Sequence, residues 1–468
     1  MKQILYFIIC LTCFNEQIIS QKLLKVAEVE KLAENYNIDL NNPESLSPFL
    51  KKLKEQENNK NQKIRIVHIG DSHLQAGYLT HHLKTKLQSK FGNAGMGMVF
   101  PYKVAHTNGP SDSYSFSNVT WSSTRNVYKN MQTGISGHRI CTKQTNSILK
   151  MAVNSKNELD YAFDKITLFH PRKNNFTFEL STAEDRDVIE NASHSTKTVY
   201  YKVKSGDNLW HISRKFKTSV TALQKLNALK TDRIKVGQKL KVRKKQQWTE
   251  KIPSSAFSPL DYQIQKEDTH SVIRLTEPVE YIFFNSLQNT ASKPIEIDGM
   301  LLENTLNNGI LYNTIGVNGA MFSNYNDSNY FFEQLPILQA DLIVISLGTN
   351  EISNNKKDIV EDLQLLCQNL KQTLGEKIPI LITSPYDYRK NEARAAITSK
   401  EIIDFVTQKN YPHIDLHKSL GGKNSMRRLQ QRKLAQKDGV HLTANGYYLV
   451  GELIYKALIQ AYNTFENE

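Results

Sequence analysis

Three short stretches carry residue types suited to attack on an ester. Gly70-Asp71-Ser72 puts a serine on the turn that leaves the apolar run 64–69. A hydroxyl there is exposed, and its backbone N–H stands near the start of a following helix, where negative charge is favoured. Asp438-Gly439-Val440-His441 sets a carboxylate three residues before an imidazole. Such a pair can share one face of a turn, the carboxylate holding one ring nitrogen while the other takes a proton from a serine. Gly348-Thr349-Asn350-Glu351 follows another apolar run. The Asn350 amide can donate to a developing oxyanion, and loss of one such donor from a comparable site costs about 3 kcal/mol. Each stretch alone also has a plainer reading: a helix cap at Ser72, a surface turn at Asp438, a Gly-Asn turn at Asn350.

These residues need a scaffold that brings both ends of the chain together. Ile64-Arg65-Ile66-Val67-His68-Ile69 reads as a buried strand, and 78–91 as the helix after it. Together they make the first βα unit of a parallel sheet. Strands are expected again at 310–315, 341–347, 378–383 and 411–416. They alternate with helices at 357–374, 393–409 and 443–465, the last capped by Thr443. Five strands alternating with helices predict an α/β fold with a doubly wound, flavodoxin-like parallel sheet whose site lies at the strands' carboxyl ends. Ser72, Gly319, Asn350 and His441 all fall at or beyond such ends. Residues 21–60 read as polar helices. Residues 103–198 and 249–305 are rich in Ser, Thr, Asn and aromatics, with alternating runs such as 271–275. They predict one inserted β-sandwich, jelly-roll-like, interrupted at 199–245.

In chain order, the three chemical stretches resemble the signature blocks of the SGNH (GDSL) hydrolase superfamily. The resemblance covers about residues 60–100 and 306–465, and the expected hydrolase domain takes in 21–102 and 306–468. It implies Ser72 as nucleophile, His441 as base and Asp438 as its orienting acid, with the Ser72 N–H and Asn350 as oxyanion donors. A glycine block is also expected before Asn350. Ile315-Gly316-Val317-Asn318-Gly319-Ala320 supplies it, with Gly319 as third donor, and Gly137 in Gly134-Ile135-Ser136-Gly137 is a rival. Two positions depart from the usual pattern: Glu351 stands where Asp is common, and His73 follows the serine. No metal or cofactor is implied, and no Cys/His cluster has metal spacing.

The interruption is strongly basic, with fourteen Lys and Arg against Asp207 and Asp232 between Tyr200 and Lys245, out of a formal charge of +14 for the whole chain. The remainder is near neutral. Tyr201-Lys202-Val203-Lys204-Ser205-Gly206-Asp207-Asn208-Leu209-Trp210 onward to Leu240 closely resembles a LysM domain, a βααβ module that binds N-acetylglucosamine-containing glycans. The resemblance implies a sugar groove between Gly206, Asp207, Asn208 and Leu209 and Leu229, Lys230, Thr231 and Asp232. Trp210 is expected in the module's core rather than at the sugar. An anionic envelope polymer suits the charge better than nucleic acid.

Residues 1–20 combine a basic start, a short apolar run and a tolerable cleavage site, and read as a signal peptide rather than a membrane span. The expected location is secreted or periplasmic, at the cell wall, without stable membrane insertion. Cys141 and Cys367 then remain, and are read as buried thiols. The order of blocks around a β-rich insertion resembles secreted peptidoglycan O-acetylesterases, which implies removal of acetyl groups from peptidoglycan. Two alternatives stay open: an esterase or acyltransferase on another acetylated glycan, and a non-catalytic, peptidoglycan-binding scaffold.

Overall fold

Runs of β-branched and leucine side chains, apolar on both faces, form a sheet that must be covered on both sides. In the computed structural model the described residues are 23–154, 159–172, 177–192, 195–216, 218–229, 231–247, 252–288 and 294–466. The signal segment expected at 1–20 and Lys230 lie outside them. The central sheet runs Gly309–Gly316, Lys63–Gly70, Leu342–Ser346, Ile380–Thr383, His413–Ile414, all pairs parallel. This is the doubly wound order 2-1-3-4-5, counted along the chain. Successive side chains alternate between faces. Ile64 and Ile66 pack on one side among Tyr78–Phe91 and the long C-terminal helix Ala444–Glu466, together with the N-terminal Ser47–Asn59 helix. Val67 and Ile69 pack on the other, against Ile359–Leu374 and Glu392–Gln408.

The insertion folds as two five-stranded antiparallel sheets and a smaller three-stranded one. Leu149, Met151, Leu180 and Phe284 of one large sheet share a buried cluster with Phe163, Ile166, Ile273 and Leu302 of the other, which makes a sandwich. Its boundary lies earlier than expected. Gly97–Val99 pairs with Gly299–Glu303 in the sandwich, although the expected division at 102 leaves it with the central sheet. Phe169, Leu301 and Ile135 continue into the cluster beneath the central sheet, so sandwich and sheet share a core.

The basic module is a two-stranded ribbon, Ser195–Lys202 against Lys239–Gln247, carrying the helices Leu209–Lys215 and Val220–Asn227. The ribbon extends beyond 199–245 at both ends. Six buried side chains form its core: Val203, Leu209, Ile212, Leu223, Leu240 and Val242. The expectation for Trp210 fails. Its side chain is 55 % exposed, with the Arg214 guanidinium over the ring at 5.4 Å. One residue past buried Leu209, the helix has turned about 100° and points Trp210 outward. Cys367 is buried, while Cys141 is only partly so, and both are free thiols. Among the described residues no helix is long and apolar enough to cross a membrane.

Candidate active site

Ser72 opens the one-turn helix Ser72–Gln75 directly after the Lys63–Gly70 strand. The turn is tight enough to require glycine at its entrance: a Cβ on Gly70 would lie 2.5 Å from Leu74 Cδ1 and 2.7 Å from the Ser346 carbonyl. Asp71 caps the helix by accepting the His73 N–H at 2.9 Å, which fixes the serine at the carboxyl end of the central strand. There Ser72 Oγ is 2.9 Å from His441 Nε2, and His441 Nδ1 is 2.7 Å from Asp438 Oδ2. The other Asp438 oxygen accepts the N–H groups of Val440 and His441 at 2.9 and 3.0 Å. Hydroxyl, imidazole and carboxylate therefore form one hydrogen-bonded row, from residues 369 positions apart. Burial works to raise the Asp438 carboxyl. The His441 ring and the two backbone donors outweigh it and hold the group at about 2, ionised at neutral pH.

The expected oxyanion donors lie around this row in unequal states. Among the described residues the Ser72 and Gly319 N–H groups have no hydrogen-bond partner. Gly319 sits in the left-handed region at φ +88°, as its glycine identity permits. Asn350 is more committed. Its Nδ2 donates to the Ala320 carbonyl at 2.9 Å and approaches Asp71 Oδ2 at 3.4 Å. Gly137, the rival, gives its N–H to the Gly134 carbonyl at 2.9 Å and packs behind the loop, where a Cβ would meet Val317 Cγ2 at 2.4 Å.

Other residues hold the Gly319 loop and have no motif to announce them. Gln75 Oε1 accepts the Asn318 N–H at 2.6 Å, and its Nε2 donates to the Asn108 carbonyl at 2.8 Å. Asn318 Nδ2 donates to Asn108 Oδ1 at 2.7 Å, and Arg125 Nη1 to the Asn318 carbonyl at 3.1 Å. Asn108 and Arg125 belong to the insertion, so the sandwich helps shape the rim. Only Gln75, one turn after Ser72, was open to suspicion from spacing.

Glu351 is fully buried and accepts the Phe322 N–H at 2.8 Å. Asn350 and Glu351 thus grip both ends of 320–322, immediately after Gly319. Burial pushes the Glu351 carboxyl up to about 8 against that N–H, and the Asp71 carboxyl up to about 7 against the His73 N–H and the His441 charge. His73 is also buried, bonded through Nδ1 to Tyr447 Oη at 2.9 Å. Burial holds it well below the ordinary histidine value, so it stays neutral beside His441.

Residues 299–449 match the GDSL-like lipase/acylhydrolase family, and residues 201–243 match the LysM domain. The chain carries a GDSL-like acylhydrolase domain and a LysM domain. Ser72 lies upstream of the matched hydrolase span because the sandwich and the LysM domain are inserted between it and Asn350. The LysM stretch is 56% identical over 43 residues to the probable peptidoglycan endopeptidase LytE of Bacillus subtilis, covering 9% of this chain and 13% of that protein. It is 47% identical over 45 residues to the uncharacterized protein YkzQ of the same organism, covering 10% of this chain and 60% of that one. The chain thus spans less than two thirds of each of these relatives. A solved peptidoglycan O-acetylesterase superposes with a TM-score of 0.61 at 17% identity, over 89% of this chain and 96% of that chain. At that identity the likeness concerns the fold, sheet and sandwich together.

In the LysM domain the residues expected to line the groove differ in what they can offer. Gly206, Asn208, Thr231 and Asp232 are exposed, and a Cβ on Gly206 would meet nothing within 4 Å. Asp207 Oδ2 accepts Tyr201 Oη and the Lys204 N–H at 2.9 and 2.7 Å, which shapes the first loop from inside. Asn208 caps its helix through the His211 N–H, and Asp232 accepts from Gln224. Leu209 is buried in the core and has only its backbone to give, and Leu229 packs against the same core.

Proposed function

We propose that this chain is a secreted esterase that removes O-acetyl groups from cell-wall glycan, with peptidoglycan as the substrate the LysM domain favours. The observation that carries the reading is the unbroken row Ser72–His441–Asp438 at the rim of the sheet. Ser72 Oγ attacks the acetyl carbonyl and passes its proton to His441 Nε2. The oxyanion forms opposite the Ser72 and Gly319 N–H groups, with the Asn350 amide as third donor once its weak contact to Asp71 gives way. Collapse releases the sugar alcohol, which takes the proton from His441. Water, activated by the same imidazole, then cleaves the acetyl-serine and frees acetate. Asp438, ionised, keeps the ring in the tautomer that presents a lone pair to the serine.

The LysM domain acts by tethering. Gly206, Asp207, Asn208 and Leu209 and Leu229, Thr231 and Asp232, with Lys230 outside the described residues, form the proposed sugar groove. Weak contacts there raise the local concentration of ester at Ser72. The test is acetate release from O-acetylated peptidoglycan and from acetylated xylan by wild type and Ser72→Ala. Release from peptidoglycan by wild type, abolished in the variant, is expected. Equal release by the variant sinks the reading, and preference for xylan redirects it.

A further inference from the structure

A second basic region lies outside the LysM block. The stretch from Lys418 to Lys437 carries seven basic side chains and no acidic one, all seven exposed. The two stretches together exceed the net charge of the whole chain, so everything else is net acidic. Like charges this close repel, and the fold gains little from them. Arg427 pairs with Glu392 at 2.9 Å. Arg428 and Arg432 instead reach neutral oxygens, the Gly421 carbonyl at 2.6 Å and Tyr36 Oη at 3.3 Å.

The helix Ser425–Gln431 explains their direction. It buries Ser425, Met426 and Leu429 and leaves Arg427 and Arg428 outward. Lys418, Arg428 and Arg432 line an open cleft of about 640 Å³ with Asn35, Asn37 and Asn41. Of the two carboxylates in the cleft, Asp415 is already engaged by Ser384 Oγ and the Lys418 N–H, both at 2.9 Å, and Asp39 is exposed. The same helix is tied to the catalytic loop. Gln430 accepts from Arg389 Nη1 at 2.7 Å and donates to the Gln436 carbonyl, while the Arg389 N–H bonds the Gly439 carbonyl at 3.0 Å, between Asp438 and His441.

We infer that this surface, tied to the Asp438–His441 loop through Gln430 and Arg389, docks the carboxylate-bearing form of the substrate, a wall glycan with acidic peptide substituents. The inference rests on the proposed reading of the site and adds a charge requirement to it. A neutral acetylated glycan has nothing for these cations to meet. Attraction of this kind acts over roughly the 8 Å screening length of physiological salt and weakens as salt is added. It favours capture of the polymer and leaves the chemical step alone.

The test uses the full chain with Lys418→Glu, Lys423→Glu and Arg432→Glu combined. Three substrates are compared: soluble O-acetylated disaccharide peptides, O-acetylated chitooligosaccharides without carboxylates, and 4-nitrophenyl acetate. For the disaccharide peptides KM should rise about tenfold with kcat kept, and the wild type in 0.5 M NaCl should move toward the variant. The other two substrates should change by less than about twofold. An unchanged KM for the acidic substrate overturns the inference, as does an equal rise for the neutral glycan or a loss of 4-nitrophenyl acetate hydrolysis. The same triple change in Ser72→Ala protein, titrated calorimetrically with the disaccharide peptides, separates this inference from the proposed reaction. Weakened binding supports the surface even where no acetate is released, and equal binding overturns it.

Discussion

The LysM domain and the proposed catalytic rim are built on opposite plans. The first is 43 contiguous matched residues around six buried side chains. The second draws a serine and a histidine from positions 369 apart, and depends on two hydrophobic clusters that close the sheet's faces. A small local module folds from its own contacts and can fail by itself. A rim assembled from distant segments inherits the stability of the whole sheet, and its errors are errors of position. Damage to the module should therefore change where the enzyme works, and damage to the rim should change whether it works.

The largest effect tests the rim. Asp438→Asn keeps an oxygen for the Val440 and His441 N–H groups but turns an amide N–H toward His441 Nδ1. The ring must then accept at Nδ1 and carry its proton on Nε2, where it cannot take one from Ser72. In an analogous triad this exchange lowers kcat by about 10⁴, and a fall of that order is expected on a soluble ester. Binding to insoluble wall should not change. A loss of binding would mean that rim and module are not separable.

Asn350→Ala comes next. It removes the proposed third oxyanion donor and also the bond to the Ala320 carbonyl. A fall of about 10²–10³ in kcat with little change in KM is expected. A change confined to KM would place Asn350 in substrate binding instead.

The module is tested with Leu223→Ala, which empties a fully buried position in a six-residue core. Such a truncation costs about 2–5 kcal/mol, comparable with all that so small a core can supply. Wall binding should fall by roughly tenfold or more as tethering is lost, while hydrolysis of a soluble ester stays at wild-type rate. A parallel loss of soluble activity would show that the module supports the rim, contrary to the comparison.

The contrast also explains what could be read from the chain. The LysM pattern is local, so the βααβ module was legible from its resemblance alone. Trp210 was misplaced because one apolar residue beside a buried one reads as a wider face, and exposure depends on what the fold sets opposite it. The five strands were legible as apolar runs, and Ser72, Asp438 and His441 from their turns. The grip of Asn350 and Glu351 on 320–322, and the Gln75–Asn108–Asn318 bridge to the insertion, were not. The first joins two loops at the rim of the central sheet that are about thirty residues apart in the chain, and the second joins segments whose proximity exists only once the sandwich docks. The sandwich boundary moved to 97 for the same reason: Gly97–Val99 is apolar in either domain, and its hydrogen-bond partner decides its membership.

The smallest effect concerns Glu351, where rim chemistry and fold stability meet. Its carboxyl is held at about 8 in the folded chain, against an ordinary value of 4.5. Between those limits the folded state keeps a proton that the unfolded state has released. Stability from this group therefore falls as pH rises from about 4.5 to 8 and levels off above. Asp71, raised to about 7, adds a like slope beginning near 3.8. Glu351→Gln keeps an acceptor for the Phe322 N–H and deletes the titration. Its unfolding free energy, measured by denaturant titration, should fall less steeply than that of wild type from pH 5 to 8, by an amount on the order of a few kcal/mol across the window. Activity at pH 7 should remain within about threefold, since the Gly319 loop keeps its anchor. Glu351→Ala deletes both, so it should share the flattened pH slope while losing kcat through a loosened loop. If Glu351→Gln loses as much kcat as Glu351→Ala, the side chain does more at the rim than hold Phe322. If neither flattens the slope, the buried proton resides on Asp71.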